Sequence, residues 1–345
     1  MLSLTSTQRD QIRTLKQQSR DRELHWLVEL VVQPELPQLI EALQICSNLI
    51  LYNSPQSPDA SKHIEKGPAV TLPVSSAKLE AVKGILVRDG AYITKMSVAI
   101  KEKHFNRAVH HIKLAKPIKL TQITAAKKAI ELSVTLIVQA ESIFDDNLVE
   151  QCEETHREKH QLLLELFQTL LLELLVAKKA LQLPTDPELV FPLHITPSNH
   201  FEPELSPHIA LDLYISQAEV CLDLKDLFIV TEEPWSEIDQ ETGKSYVDKV
   251  RDRMSEGKRD EMEHSKKEKE KAGVFSNVFG HLSLRPKYEA QDYITRCITY
   301  NNQVVMVDRK LEVSSADPVL VSAFTKLDSV EYIVSSFMDN IKKLM

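Results

Sequence analysis

Residues 160–181 read HQLLLELFQTLLLELLVAKKAL, the most apolar stretch of the chain. Apolar side chains recur at Leu163, Leu166, Phe167, Leu170, Leu174, Ala177 and Leu181. Steps of three and four put these residues on one face of a helix; a strand would alternate. Glu153, Glu154, Arg157, Glu158 and Lys159 load the approach with charge, and Lys178 and Lys179 lie near the carbonyl end, where cations are favoured. Pro184 stops the run. A helix from Asp146 to Leu183 would be on the order of 55 Å long at ~1.5 Å per residue.

Leu162, Leu164, Leu171, Leu172 and Leu175 fall outside the first stripe. A helix that is apolar on more than one side needs more than one partner. One solution is a zipper between two copies through Leu163/Leu170 and Leu164/Leu171. The other is the central helix of an intramolecular bundle. Ala177 and Lys178 break the leucine series after two heptads, whereas a zipper needs three or four. The pattern therefore favours the bundle.

The rest of the chain supplies the partners. Ser6 to Tyr52 is helical, with stripes at Leu24, Leu27, Val28, Val31, Val32 and at Leu36, Leu39, Ile40, Leu43, Cys46, Leu49, Ile50. Pro34 predicts a kink. Pro117 to Phe144 repeats at Ile123, Ala126, Ile130, Val134, Ile137 and Val138, and a short Asp145-Asp146-Asn147 turn makes it antiparallel to the leucine helix. Asp317 caps a last helix with Pro318 at its first position, and Leu320, Phe324, Leu327, Val330, Ile333, Val334, Phe337 and Ile341 share a face.

Strand patterns lie between the helices. Ala69–Ser75, Val82–Val87 and Ala91–Lys101 form a meander, with Asp89-Gly90 as hairpin signal, followed by Arg107–Leu114. His208 to Val230 alternates on either side of Gln217-Ala218, and Tyr293–Tyr300 and Val304–Val313 flank Asn301-Asn302-Gln303. The predicted class is α+β: an elongated antiparallel four-helix bundle (1–52, 117–184, 316–345) with a separate small antiparallel β domain (69–115, 207–230, 290–313). Both are built from interleaved segments, and the strands are expected to meet in one sheet. Residues 231–273 read as a charged, disordered insertion. From Asp248 to Lys271 there are nine basic and eight acidic residues and almost no apolar ones.

Composition narrows the function. The 345 residues carry a net charge of −8, with 42 basic and 50 acidic side chains, so nucleic acid is not an expected partner. No wide polybasic membrane patch is evident along the chain. Seven glycines leave little room for a phosphate-cradling loop. Cys46, Cys152, Cys221 and Cys297 are isolated and read as reduced thiols of a cytosolic protein. The first residues lack the apolar core of a signal peptide. Glu165, Gln168, Glu173 and Lys178 argue against the leucine stretch spanning a bilayer.

Catalytic signatures are absent: the chain has neither GxxxxGK[ST] nor HExxH. His156 and His160 have metal-ligand spacing, with Glu153 as a conceivable third ligand, but a solvated helix start explains them as well. No cofactor and no metal site is expected. Asp145-Asp146 reads as a turn and helix cap. His194, His200 and His208 read as loop residues, and the basic run Lys113–Lys119 as an exposed strand end that could touch acidic lipid or protein.

Five stretches carry a resemblance beyond these patterns: RELHWLVELVVQPELPQLIEAL (22–43), VKGILVRDGAYITKMSVAIK (82–101), KLTQITAAKKAIELSVTLI (119–137), PHIALDLYISQAEVCLDLKDL (207–227) and RKLEVSSADPVLVSAFTKLDSVEYIVSSFMDNIKKL (309–344). Collinear over most of the chain, they resemble the Rogdi family, the small subunit of the RAVE complex (regulator of the vacuolar and endosomal proton ATPase). The resemblance implies a non-enzymatic assembly factor that promotes reassembly of the peripheral and membrane sectors of the vacuolar-type proton ATPase. It implies as partners a large WD-repeat subunit of the rabconnectin type, a Skp-type adaptor, and peripheral-sector and stalk subunits of the ATPase. It also implies a cytoplasmic protein recruited peripherally to vacuolar and endosomal membranes without inserting. The candidate partner-binding residues are Leu164, Leu171, Leu172 and Leu175. The competing reading is a homodimeric, leucine-zipper-like tether in membrane trafficking.

Overall fold

The computed structural model describes residues 6–76, 81–102, 105, 110–145, 153–264 and 288–345. Helix α1 (Ser6–Leu27) passes through a π turn (Val28–Val32) into α2 (Gln33–Tyr52). Proline offers no N–H and its ring clashes with the carbonyl four residues back. The helix meets Pro34 with one wide turn: the Gln33 N–H reaches back to the Val28 carbonyl. The expected kink is thus a π bulge placed directly before the proline.

Helices α2, α3 (Thr121–Asp145), α4 (Glu153–Gln182) and α7 (Pro318–Leu344) pack as a ring, α2 and α4 each lying between α3 and α7. The predicted stripes point inward. Leu36, Leu43 and Ile50 of α2, Ile123, Ile130 and Ile137 of α3, Leu163, Phe167, Leu170 and Leu174 of α4, and Leu320, Leu327 and Val334 of α7 are all buried. Burying each such side chain contributes about 1.5–3 kcal/mol. Phe167 and Phe337 stack across the core with centroids 6.5 Å apart. Residues 158–189 are long and apolar enough to cross a membrane by length and composition. In this fold the leucines of α4 already have protein neighbours on two sides.

The strands form two antiparallel sheets, where one was expected. The first has the order β1 (Val70–Ser75), β2 (Val82–Asp89), β3 (Tyr92–Ile100), β4 (His111–Leu114), β6 (Phe201–Glu202), with β5 (Ile118–Lys119) also pairing with β3. A bulge between Val87 and Arg88 shifts the β2–β3 register. The second has the order β7 (Ile209–Ser216), β8 (Glu219–Ile229), β10 (Gln303–Ala316), β9 (Cys297–Tyr300). The sheets touch where the Ser315 hydroxyl donates to the Pro73 carbonyl at 2.7 Å. β9 pairs only with Gln303–Met306, so beyond that point β10 has β8 alone as ladder partner, and it meets β1 through this side-chain bond and not through a ladder.

Three polar ties join helices to sheets. The Gln122 side-chain amide donates to the Ala180 and Ile215 carbonyls at 2.9 and 2.8 Å, and its oxygen accepts from the Ile215 N–H at 2.7 Å. The β7–β8 turn places Gln217 and Ala218 at positive φ, and their N–H groups cap the Gln182 and Leu181 carbonyls at the end of α4, both at 2.8 Å. Arg88 and Asp317, both fully buried, form the third tie. Arg88 Nε and Nη2 donate to the two Asp317 oxygens at 2.5 and 3.2 Å, and Nη1 donates to the Gly90 carbonyl at 2.7 Å. Asp317 also accepts from the Val319 and Leu320 N–H groups as the cap of α7, as its sequence position indicates.

Residues 231–264 depart from the expected disorder. Trp235 is 1% exposed and stacks on Tyr293, centroids 5.1 Å apart and planes 6° from parallel. Helix α5 (Tyr246–His264) buries Val247 and Val250 beside them. Composition misled because the charges are used. Lys249 pairs with Asp239 at 2.5 Å, and the Arg251 guanidinium donates to the Ile294 and Cys297 carbonyls, both at 2.7 Å. Tyr293 belongs to a short helix, α6 (Ala290–Arg296), instead of the predicted strand, which begins only at Cys297. Residues 265–273, the Val274–Leu284 stretch expected to re-enter the fold, and Asn147 lie outside the described residues.

Candidate interaction surfaces

The four candidate leucines of α4 divide into two pairs. Leu164 is 8% exposed and Leu171 half-buried, and both belong to the core packing. Leu172 and Leu175 face outward at 63% and 37% exposure. Leu162, Val176 and Leu183 are exposed as well, and steps of three, four and seven residues align Leu172, Val176 and Leu183 on one row. The zipper pairs are thus already engaged: Leu163, Leu170 and Leu164 are buried within the chain's own bundle.

Lys178 fixes the edge of this row. Its ammonium bridges Asp328 and Glu331 of α7 and sits 5.6 Å over the Phe324 ring. Partial burial on its own would lower its pKa, but the two carboxylates outweigh that and raise it, so the pin stays charged. Tyr332, one residue beyond Glu331 on α7, is 77% exposed. α4 and α7 are therefore tied by an ion pair, and each carries exposed apolar or aromatic side chains, Leu172 and Leu175 on α4 and Tyr332 on α7.

On the second sheet, Lys225 donates to Asp223 and Asp212 at 2.6 and 3.3 Å, and all three are buried. Asp212 also accepts from the Phe191 N–H at 2.9 Å and lies 3.0 Å from His194 Nδ1, so the 187–197 loop is pinned over the sheet. Tyr214 donates to Glu312 at 2.9 Å; burial and that carboxylate push its phenol well up. Lys310 and Tyr214 hold Glu312 below the ordinary carboxylate range. Each acid faces a base or a donor, an arrangement that pins a loop and leaves no poised nucleophile. The sequence showed these residues only as the outward half of an alternation; the loop that covers them could not be placed. His208 Nδ1 lies 3.1 Å from the Leu227 carbonyl, and the residue is exposed, as expected.

A cleft of about 720 Å³ lies between residues 195–199, 204–209 and Tyr300-Asn301. Its one carboxylate, Glu204, accepts from Ser198 at 2.7 Å. His160 is turned inward and buried, away from any site on the surface. The side chains of Glu153, His156 and the Asp145-Asp146 pair lie outside the described residues. Among the described residues no group of three His, Cys, Asp or Glu could hold a metal ion. Cys46, Cys221 and Cys297 are free and buried, and burial pushes their thiols up to about 12, 11 and 12. Cys152 lies outside the described residues.

The fold and its surfaces define a class: a helical bundle joined to antiparallel sheets, with exposed apolar side chains on its long helices. Residues 23–342 match the family described as Rogdi leucine zipper containing protein, and the chain belongs to that family. It is also 25% identical over 334 residues to the Saccharomyces cerevisiae protein named Regulator of V-ATPase in vacuolar membrane protein 2, covering 93% of this chain and 90% of that one.

Proposed function

We propose that this protein is a non-enzymatic assembly factor, a RAVE-type subunit that promotes reassembly of the peripheral and membrane sectors of the vacuolar-type proton ATPase. The observation that carries the reading is end-to-end similarity to a yeast protein named as a regulator of that ATPase. Exposed Leu172 and Leu175 on α4 support it, because an apolar row on a helix already held in a bundle suits a partner helix. The partners in this reading are a large WD-repeat subunit of the rabconnectin type, a Skp-type adaptor, and peripheral-sector and stalk subunits of the ATPase. The protein acts in the cytoplasm and is recruited peripherally to vacuolar and endosomal membranes.

Affinity purification of the full chain from cells, with the bound proteins identified, tests this. Recovery of a WD-repeat subunit together with peripheral ATPase subunits supports the reading, and their absence with a folded bait refutes it. A Leu172→Glu/Leu175→Glu variant with an unchanged circular dichroism spectrum should lose the WD-repeat subunit. Normal binding by that variant would remove the α4 face from the proposal.

A further inference from the structure

The basic run Lys113–Lys119 acquires a second dimension in the structure. In the first sheet the register sets Lys113 of β4 beside Ser97, Ser97 beside Ile85, and Lys95 beside Val87. Lys119 of β5 pairs with Tyr92, and Lys83 with Ala99. The neighbours Val82, Ile93, Met96, Ile112 and Ile118 are buried. Alternation therefore sends Lys83, Lys95, Lys113 and Lys119 to the opposite, uncovered face, where all four are exposed. Ile85 and Tyr92 join them at 47% and 44% exposure. None of the four lysines makes an ion pair among the described residues. Among the described strand residues the acids on this face are Asp89, bound by Lys66, and Glu202 in register with Lys113.

We infer that this open face docks on a membrane bearing anionic lipid headgroups. Four lysines within a patch roughly 10 by 23 Å, at about 4.8 Å between strands and about 3.3 Å per residue, concentrate positive charge on a chain whose net charge is −8. The complement of such a surface is anionic. Lysine is a compact, hydrated point charge, whereas recognition of an acidic peptide favours the bidentate fork of arginine, and among the described residues no arginine is on this face. The face is a pleated sheet and not a groove, so it suits a surface more than a chain. Exposed Ile85 and Tyr92 supply the apolar and aromatic contact that settles at a headgroup boundary. No wide basic patch is evident along the linear sequence because these lysines come from four strands.

The inference deepens the proposed peripheral recruitment by naming its surface. Its test uses the purified chain with no ATPase subunit present, so the two can fail separately. Co-sedimentation is measured with vesicles of pure phosphatidylcholine and with vesicles containing 30% phosphatidylserine. Binding should require the anionic lipid and fall steeply as salt rises through physiological strength. At roughly fivefold per lysine, the variant K83E/K95E/K113E/K119E should bind more than a hundredfold less well. The control K342E/K343E, at the exposed end of α7 and equal in charge change to K95E/K113E, should retain most binding. A two-lysine variant, K95E/K113E, serves if the fourfold one fails to fold. The proposal is overturned if anionic vesicles do not bind the wild type at low salt. It is equally overturned if the reversed variants bind as the wild type does, or if polyglutamate binds to this face while the vesicles do not.

Discussion

Replacing Arg88 with methionine should destabilise the protein by about 3–5 kcal/mol, the range for removing one partner of a fully buried ion pair. The substitution leaves Asp317 charged at 0% exposure, with only the Val319 and Leu320 N–H groups to hold it. It also strips the Gly90 carbonyl of a 2.7 Å hydrogen bond. Asp317→Asn is the complementary change, because it keeps an oxygen to cap α7 but leaves the guanidinium uncompensated. Unfolding 345 residues together changes entropy by about 0.7 kcal/mol per degree, so each single variant should melt roughly 4–7 °C lower. The double variant R88M/D317N contains neither buried charge, and its loss should fall short of the sum of the singles by about 2 kcal/mol or more. Urea and thermal unfolding followed by circular dichroism measure all four proteins. Single losses under about 1 kcal/mol, or additivity within about 0.5 kcal/mol, would refute the claim that this pair is a coupled joint between β2 and α7.

Gly90→Ala should destabilise by about 1–3 kcal/mol, since Gly90 has φ +57° and an added Cβ would lie 2.3 Å from the Leu51 carbonyl oxygen; Gly243→Ala, at φ +67° with nothing within 4 Å, should cost less in the same melt. Glu312 has its pKa lowered from 4.5, by Lys310 first and Tyr214 next, so its stabilising contribution is complete above about pH 4.5 and lost as pH falls through the lower folded value. Urea midpoints should therefore drop on acidification from pH 5 to 3, and Glu312→Gln should flatten that drop; equal slopes would count against it. Light scattering should give a monomer near 39.3 kDa, because the zipper leucines are occupied within the chain. A stable dimer that survives Leu172→Glu/Leu175→Glu would point to the tether instead.

The helices were legible because each buries one face and leaves the rest to solvent, so the period of Leu320, Leu327, Val334 and Ile341 shows directly in the sequence. The three hairpins were legible for a similar reason: Gly90, Gln217-Ala218 and Asn301-Asn302 sit between alternating runs and all take positive φ. Contacts between distant segments were hidden. Arg88 reads as a turn residue until Asp317, 229 positions away, is folded against it. Trp235 has few apolar neighbours in sequence and obtains its core from Tyr293. Of the candidate surface, Leu172 and Leu175 were identified by lying off the main stripe. Leu164 and Leu171 lie off it too, but on the flank that faces the ring's interior, a difference no single-helix pattern contains. The lysine face was illegible because cross-strand register assembles it.

The leucine excess of α4 follows from its place in the ring. A helix held between two neighbours and capped by a hairpin needs apolar residues over more than half its circumference, so the second leucine row is no sign of a second chain. To zip with another copy through Leu163 and Leu170, α4 would first have to leave α3 and α7. Exposing Leu163, Phe167, Leu170 and Leu174 alone costs about 6–12 kcal/mol, which a partner helix could at best restore. Partner binding through the outward row has no such penalty, because Leu172 and Leu175 are already in water and Lys178 already holds the helix in register. A bundle that keeps its zipper leucines inside can offer the same face to a changing set of partners without unfolding, which is what the proposed assembly role requires.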